Sequence, residues 1–178
     1  MTAPASTARP VRAARRAGMA LATSLLALGL LLAACGSTPV QTSPAQIEAA
    51  VGHAYATLFD FADHDIAVKT AVIENGSTLR GALTQALSSS LAKRATGAKV
   101  SKVQLLSASA CRQAAMTSPC ARVTYNLLST AHTPLFATPS IGYAVSVGGH
   151  WLVAKSTICG LLSLFYSTSG RSGSPPGC

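Results

Sequence analysis

The sequence predicts an α+β domain in which N-terminal helices pack on a curved four-stranded antiparallel sheet. Between residues 44 and 94, apolar residues recur every three to four positions, which is the period of a helix. Between residues 102 and 157 they mostly alternate with polar or small residues, which is the period of a half-buried strand. Helices first and strands afterwards are typical of α+β folds.

The first helix is predicted to begin at Pro44, directly after the N-cap Ser43, because proline suits the first helical position. It runs to about Phe61. Its apolar stripe follows steps of four and three and comprises Ile47, Val51, Ala54, Leu58 and Phe61.

Two further helical segments follow. Asp65 is expected to cap the segment Ile66 to Glu74. Ser77 is expected to cap a third helix that has leucine at every fourth position and ends at Gly97. These leucines are Leu79, Leu83, Leu87 and Leu91.

The strands are predicted after Gly97. The first three contain Val103 and Leu105, then Ala121 to Leu127, then Ile141 to Val147. In the third strand the predicted apolar face comprises Ile141, Tyr143, Val145 and Val147. A tight turn at Gly148-Gly149 leads into a fourth strand, His150 to Thr157, which the apolar run from Cys159 to Phe165 extends.

The N-terminus has the pattern of an export signal. Arginines 9, 12, 15 and 16 precede an apolar run from Met19 to Leu32, which is short for a membrane span. The run leads into Leu32-Ala33-Ala34-Cys35, followed by Gly36, and this resembles the bacterial lipobox. The resemblance implies a diacylglyceryl group on the Cys35 thiol and cleavage just before Cys35, which places the protein on the extracytoplasmic face of the cell membrane.

The chain is therefore predicted to have four parts. Residues 1–34 are the signal peptide, and 35–43 are the lipidated cysteine with a flexible Ser/Thr/Pro tether. Residues 44–166 are the folded domain, and 167–178 are a Gly/Ser/Pro tail held by Cys178.

Charge argues against a nucleic-acid partner. Removal of the leader leaves ten Lys and Arg against five Asp and Glu, a net charge near +5. The remaining cations are scattered along the sequence, and aromatic residues that could stack on bases are few. A mild attraction to anionic head groups, added to the lipid anchor, is the expected effect.

Four cysteines are left once Cys35 carries lipid, and an even number in an exported chain indicates two disulfides. Three pairings are possible. We favour Cys111 with Cys120, because they flank a short segment between two strand-like stretches, which pairs Cys159 with Cys178. No Cys-x-x-Cys motif supports a zinc site, and neither a metal nor a cofactor is expected.

The candidate pocket residues are Tyr55, Tyr125, Tyr143 and Trp151. Isolated Asp, His and Tyr side chains can serve catalysis inside a cone-shaped fold, so His53, Asp60 and Asp63 are further candidates. Each has a simpler interpretation. His53 and Tyr55 lie off the helical stripe and are expected to be partly exposed, and the other aromatics are expected in the core.

The cluster Asp60, Asp63, His64 and Asp65 has two interpretations. It is either a metal or acid-base site or an exposed turn, and we favour the turn because Asp65 suits the N-cap of the next helix. No nucleophile elbow, zinc helix, phosphate loop or dinucleotide fingerprint occurs.

A family resemblance is carried by three stretches. Phe61-Ala-Asp-His-Asp-Ile-Ala-Val-Lys69, Val72-Ile-Glu-Asn-Gly76, and the hairpin Gly148-Gly-His-Trp151-Leu-Val153 leading to Thr157-Ile-Cys159 resemble the low-molecular-weight antigen MTB12-like domain of mycobacterial and other actinobacterial secreted proteins and lipoproteins. That domain is similar in outline to the NTF2-like and cystatin-like cones. The resemblance implies a fold and a cell-envelope setting, with no catalytic residues.

Three functional hypotheses follow. The first is a non-enzymatic lipid-anchored envelope protein that binds a partner protein, glycan or lipid. The second is a carrier that holds an apolar ligand in the cone, and the third is a small NTF2-like isomerase or hydrolase. The interior of the cone separates them, because a filled interior favours the first, an open apolar cavity the second, and a cavity with a buried Asp the third.

Overall fold

A curled four-stranded antiparallel sheet packs against helices in the computed structural model, which describes residues 42–168 and 173–178. The α+β prediction is confirmed. The helices are α1 (Pro44–Leu58), α2 (Ile66–Ala71), α3 (Arg80–Leu87), α4 (Ala108–Gln113) and α5 (Lys155–Thr168). The strands are β1 (Ala95–Leu105), β2 (Cys120–Ser129), β3 (Ser140–Val147) and β4 (His150–Val153), in the order β1-β2-β3-β4.

The first helix forms as its sequence predicts. Ser43 caps α1 through a reciprocal pair of hydrogen bonds with Gln46, which satisfies N–H groups that have no partner inside the helix. The predicted stripe is buried as far as Leu58, where the helix ends, and Phe61 lies partly buried against the core beyond it. Tyr55 is also fully buried, so its predicted exposure is wrong.

The second segment is shorter than predicted. Asp65 caps α2 by accepting hydrogen bonds from the N–H groups of Ala67 and Val68, but the helix ends at Ala71. The following residues run beside β4, where Ile73 forms a parallel bridge with Val153. Glu74, predicted to be helical, instead accepts a hydrogen bond from the first N–H of α5 through its carboxylate. Residues 72–74 therefore pair with the last residue of β4, on its outer edge.

The predicted third helix is broken into three pieces. A 3₁₀ turn covers Gly76–Leu79, α3 covers Arg80–Leu87, and a second 3₁₀ turn covers Ala92–Arg94. Serines end α3, because Ser88 Oγ donates to the Gln85 carbonyl and Ser89 Oγ accepts from the Ala92 N–H. Gly97, predicted as the helix end, already lies inside β1.

The two faces of the sheet differ. The face that packs on the helices, here called the front face, carries the buried residues Ala121, Val123, Tyr125, Leu127, Ala144 and Val153. The opposite face, here called the back face, carries residues that the register places together: Lys99, Lys102, Gln104, Arg122, Thr124, Asn126, Ile141 and Tyr143.

The predicted apolar face of β3 is wrong. Tyr143 pairs with Arg122 and Ile141 pairs with Thr124, so both lie on the back face, and Ile141 is 46% exposed. The small residues Gly142 and Ala144 face the core instead. The physical reason is space, because Tyr55 approaches β3 so closely that a Cβ at position 142 would overlap its hydroxyl oxygen.

The fourth strand is also shorter than predicted, and the apolar run after it is a helix. β4 ends at Val153, and α5 buries Ile158 and Leu162, which are four residues apart, in the main core. A short apolar run has no period that separates a strand from a buried helix. The N-terminal cap that Glu74 provides lies 81 residues away in the sequence, where no local pattern reveals it.

A second, smaller core lies at one end of the back face. Helix α4, which the sequence patterns do not predict, covers this end and places Cys111 beside Cys120. The cluster comprises Cys111, Met116, Cys120, Val145 and Ala154.

Both predicted disulfide pairs form. Cys111 pairs with Cys120, with the Cα atoms 5.9 Å apart, and Cys159 pairs with Cys178, with the Cα atoms 5.5 Å apart. The C-terminal end is held by more than its cysteine. Pro175 is buried, and Gly177 lies so close to the Thr78 carbonyl that a Cβ would overlap it.

Candidate functional site

The concave side of the sheet is occupied by aromatic rings. Tyr55 and Phe59 project from α1 toward Tyr125 on β2, with ring centroids 5.0 Å apart for the two tyrosines and 5.5 Å apart for Phe59 and Tyr125. All three side chains are buried, and they pack against Leu58, Leu127 and Val123. Two of the predicted pocket residues therefore fill the interior of the domain.

The Tyr55 hydroxyl is engaged in a buried polar network. It donates to the Tyr143 carbonyl at 3.1 Å, and Thr157 Oγ1 on α5 accepts from the Tyr143 N–H at 2.7 Å. The Ala154 N–H donates to the same carbonyl at 2.9 Å. These bonds satisfy the main chain of β3 beyond the point where β4 ends.

Burial governs the acidity of these phenols. Desolvation raises the pKa of Tyr55 far above its usual value, and the neighbouring Tyr125 adds to the rise. Desolvation raises the pKa of Tyr125 to about 12, against a smaller opposing effect of a hydrogen bond with Ser140. Both phenols therefore stay protonated at neutral pH.

Trp151 is separate from this cluster. It pairs with Ser146 at the β3–β4 hairpin and lies half-buried against the main core. Trp151 lines neither the groove between β3 and α5 nor the cavity between α1, α3 and α5. The structure thus does not bring the four predicted pocket residues to one site.

An open groove of about 530 Å³ lies between the free end of β3 and α5. We call it the β3–α5 groove. Tyr125 and Tyr143 reach it from the two faces of the sheet, and the rest of its lining comprises Phe136, Thr138, Pro139, Ser140, Ile141, Ser156, Thr157, Gly160, Leu161 and Leu164. Its volume lies within the range of ligand sites in proteins.

The groove combines apolar side chains with neutral polar groups. Phe136, Ile141 and Leu164 are 38%, 46% and 47% exposed, which is high for side chains of this size. Ser140, Ser156 and Thr157 contribute hydroxyls, and its lining within residues 42–168 and 173–178 includes no Asp, Glu, Lys, Arg or His. The arrangement suits an uncharged ligand that has both apolar and hydrogen-bonding parts.

The main-chain N–H and carbonyl of Ile141 on β3 add further polar groups to the groove. The N–H and carbonyl of Tyr143 bond to Thr157 and Ala154, on the edge of the strand that faces away from β2. Bonding directions alternate along a strand, so the N–H and carbonyl of Ile141 lie on the same edge.

Sequence reasoning missed most of this groove. Phe136 lies in the β2–β3 connection, and Thr157 and Leu164 lie in a helix that the sequence analysis predicted as strand. The available signal was Phe136 itself, a large aromatic residue in a polar connecting segment.

A partly open apolar cavity lies between α1, α3 and α5, but it is small. Its volume is about 40 Å³, and its lining includes Leu58, Phe61, Leu83, Leu162 and Lys69. A drug-sized ligand needs several hundred Å³, so this cavity does not hold one.

Lys69 is a fully buried lysine on α2. Its Nζ donates to the carbonyls of Thr57, Leu58 and Asp60, at 3.4, 3.2 and 2.5 Å. These carbonyls lie at the C-terminal end of α1, where a cation is favourable. Desolvation lowers the pKa of Lys69, and the carboxylates of Asp63 and Asp60 oppose that effect.

The acidic cluster forms a turn, as we favoured. Asp60 accepts from the N–H groups of Ala62 and Asp63, and Asp63 accepts from the Asp65 N–H. His53 is exposed on α1. Within residues 42–168 and 173–178, no group of three His, Cys, Asp or Glu side chains is arranged to hold a metal ion.

The lipobox residues Leu32, Ala33, Ala34 and Cys35 lie outside the described residues. The whole of the predicted signal peptide, residues 1–34, also lies outside them. The described part of the chain contains no helix of the length and hydropathy needed to cross a bilayer. Comparison with protein families, with curated proteins and with solved structures finds no match to this chain.

Proposed function

We propose that the protein is a non-enzymatic, lipid-anchored lipoprotein of the bacterial cell envelope. In this proposal Cys35 carries the lipid, residues 36–43 form the tether, and the α+β domain is displayed outside the cytoplasmic membrane. The lipobox-like sequence supports the anchor. The two disulfides support an oxidising compartment, because disulfides are rare in reducing ones.

The role of the domain is binding rather than catalysis in this proposal. The carrying observation is the packing of Tyr55, Phe59 and Tyr125, which occupies the space where a cone-shaped enzyme keeps its reaction pocket. The Tyr55 hydroxyl is committed to the Tyr143 carbonyl. We retain the MTB12-like resemblance as part of the proposal, since it implies the same envelope setting.

The β3–α5 groove is the proposed binding site. Its exposed apolar side chains and its neutral hydroxyls favour an uncharged partner, such as part of an envelope lipid, a glycan or a protein. A carrier of an apolar ligand is the second candidate. The groove volume of about 530 Å³ favours it, whereas the interior cavity of about 40 Å³ is too small for that purpose.

Metabolic labelling with a palmitate analogue tests the anchor. The wild-type chain should take up label and stay with the membrane fraction, and Cys35→Ala should lose both properties. Ser37→Ala, two residues further on, is the matched control and should keep both. Unchanged labelling and membrane retention of Cys35→Ala would refute anchoring at this residue.

Native mass spectrometry of the protein from its own host tests the groove. A co-purifying neutral lipid favours the carrier, and a co-purifying protein or glycan favours the accessory role. Turnover of an ester or ketosteroid test substrate by the purified protein would overturn the non-enzymatic proposal.

A further inference from the structure

The charges of this protein are segregated between its helices and its sheet. All five Asp and Glu residues of the chain lie between Glu48 and Glu74, and none follows. The described residues contain nine Lys and Arg. Five of these cations lie on α2, α3, α5 and the second 3₁₀ turn, and they equal the five acids in number. They are Lys69, Arg80, Lys93, Arg94 and Lys155.

The other four cations lie on the sheet and on α4. Lys99 and Lys102 are on β1, Arg122 is on β2, and Arg112 is on α4. All four side chains are exposed. The net charge of +4 carried by the described residues therefore corresponds to these four cations.

The strand register brings three of them onto the back face. Lys99 pairs with Asn126, Lys102 pairs with Thr124, and Gln104 pairs with Arg122, so the three cations project from the same side. Lys102 and Arg122 are diagonal neighbours, which lie about 7 to 8 Å apart in an antiparallel pair. Like charges at this spacing repel each other, and no acid on the sheet offsets them.

The fourth cation, Arg112, lies on the helix at one end of the back face. Cys111, the neighbour of Arg112 on α4, is bonded to Cys120, which pairs with Val145 on the back face. Helix α4 therefore covers one end of this face, and Arg112 is exposed on it.

Tyr143 lies directly opposite Arg122 on this face, and Ile141 is a diagonal neighbour of Arg122. Tyr143 pairs with Arg122, and Ile141, 46% exposed, pairs with Thr124. Lys and Arg next to exposed apolar and aromatic residues are typical of a surface that contacts a lipid bilayer, because the cations meet phosphates while the aromatic rings sit at head-group level.

The tether is short enough to keep the domain close to the bilayer. This step rests on the proposed lipid anchor at Cys35. Nine residues from Cys35 to Ser43 span at most about 30 Å when fully extended. A tether of this length holds the domain close enough to the bilayer for one of its faces to contact the lipid.

We propose that the back face, with Lys99, Lys102, Arg112 and Arg122, docks on anionic phospholipid head groups and orients the anchored domain on the membrane. Each cation near an anionic bilayer raises partitioning by up to about five-fold. The β3–α5 groove is partly lined by Ile141 and Tyr143 of this face, so docking brings the groove next to the lipid surface.

Amine labelling of the lipidated protein in vesicles tests this proposal. One vesicle preparation is phosphatidylcholine alone, and the other contains about one third phosphatidylglycerol. Lys99 and Lys102 should react several-fold more slowly on the anionic vesicles in about 0.1 M salt, and the difference should vanish in about 1 M salt, where charges are screened within about 3 Å. Lys93 is exposed on the helical side and provides the internal control, with equal reaction on both vesicles.

A pair of charge variants sharpens the test. Arg122→Gln should restore much of the reactivity of Lys99 and Lys102 on anionic vesicles. Arg80→Gln removes another exposed cation, from α3, and should leave the protection unchanged. Equal labelling on both vesicle types, or the same loss of protection in both variants, would overturn the proposal.

The failure of the anchor and the failure of the face give different results. If the unsubstituted protein does not float with phosphatidylcholine vesicles, the anchor is refuted, and flotation with anionic vesicles alone still supports the face. If it floats with both but Lys99 and Lys102 label equally, the anchor stands and the face is refuted. Protection by soluble dextran sulfate on neutral vesicles, without protection by anionic vesicles, would assign the face to an acidic glycan and overturn the lipid proposal.

Discussion

Tyr55 Oη donates a hydrogen bond to the main-chain carbonyl of Tyr143, 3.1 Å away, across the position where Gly142 has no side chain. The Tyr55 side chain of helix α1 thus reaches the main chain of strand β3 where the strand has no side chain in the way. The aromatic packing of the interior and the polar network with Thr157 meet at this point.

Gly142→Ala should therefore lower the free energy of unfolding by about 1 to 3 kcal/mol, the usual cost of adding a methyl group to a filled core. The new Cβ would overlap Tyr55 Oη and lie 2.7 Å from Thr157 Cγ2. Urea denaturation followed by circular dichroism measures the change. Gly160→Ala is the control, because that helical position is exposed with no atom near the new Cβ, and it should gain up to about 1 kcal/mol. Equal effects of the two substitutions would contradict this account of Gly142.

Lys69→Met should destabilise the domain by about 1 to 3 kcal/mol, because three carbonyls at the end of α1 lose a charged donor. Lys93→Met, at an exposed position, should change stability by less than about 0.5 kcal/mol. Chemical denaturation at neutral pH compares the two variants.

Lys69 should also change how the free energy of unfolding depends on pH. Its pKa is lowered in the folded protein, so the unfolded chain holds the proton more tightly between that pKa and 10.5. Stability relative to Lys69→Met should consequently increase as the pH rises through this window. A difference that stays constant or shrinks would contradict the lowered pKa.

Tyr125 should act in the opposite direction at high pH. Its folded pKa of about 12 exceeds the usual value of 10, so its contribution is fully present below pH 10 and is lost as the pH rises through about 12. The free energy of unfolding of the wild type should fall over this range, and Tyr125→Phe should fall less steeply. Parallel curves for the two proteins, each referred to its own value at neutral pH, would be inconsistent with a buried, protonated Tyr125.

Each disulfide should contribute about 3 kcal/mol, since the closed loops have sequence separations of 9 and 19 residues. Replacing both Cys159 and Cys178 by serine should also free the C-terminal end, where Pro175 is buried. Protease digestion should then remove residues after α5 faster than in the wild type. Peptide mapping without reduction checks the pairing, and a bond from Cys111 to any residue but Cys120 would refute it.

Ile141→Thr should weaken ligand capture by the β3–α5 groove, because it replaces an apolar side chain of the lining with a polar one. Val147→Thr is the matched control, since Val147 lies on the same strand, is 47% exposed and is absent from the groove. Native mass spectrometry of protein from the host measures the bound fraction. Equal ligand loss in both variants would place the ligand elsewhere.

The sequence was sufficient where the structure depends on local chemistry. The Ser43 cap, the stripe on α1, the Asp65 cap and the alternation in β2 each combine a propensity with a period, and each is found in the structure. The disulfide pairing also followed from spacing, because a short segment between strands brings its ends together.

The sequence-based predictions fail where contacts between residues that are distant in the sequence determine the local structure. The buried face of β3 is the one with Gly142 and Ala144, because Tyr55 and Thr157 need the space, although the other face is more apolar. Helix α5 depends on a cap from Glu74, and the groove assembles from a loop, a strand end and this helix. Neither periodicity nor composition reports such contacts.

The pairing of residues 72–74 with Val153 covers part of the outer edge of β4, which bears on aggregation. In the part of the chain that the structure describes, no segment pairs with the outer edge of β1, and an open edge invites pairing with neighbouring chains. Strand β1 is irregular at two places, between Ala95 and Gly97 and between Val100 and Lys102, and it carries two exposed lysines. Both features discourage strand pairing between neighbouring copies of the domain.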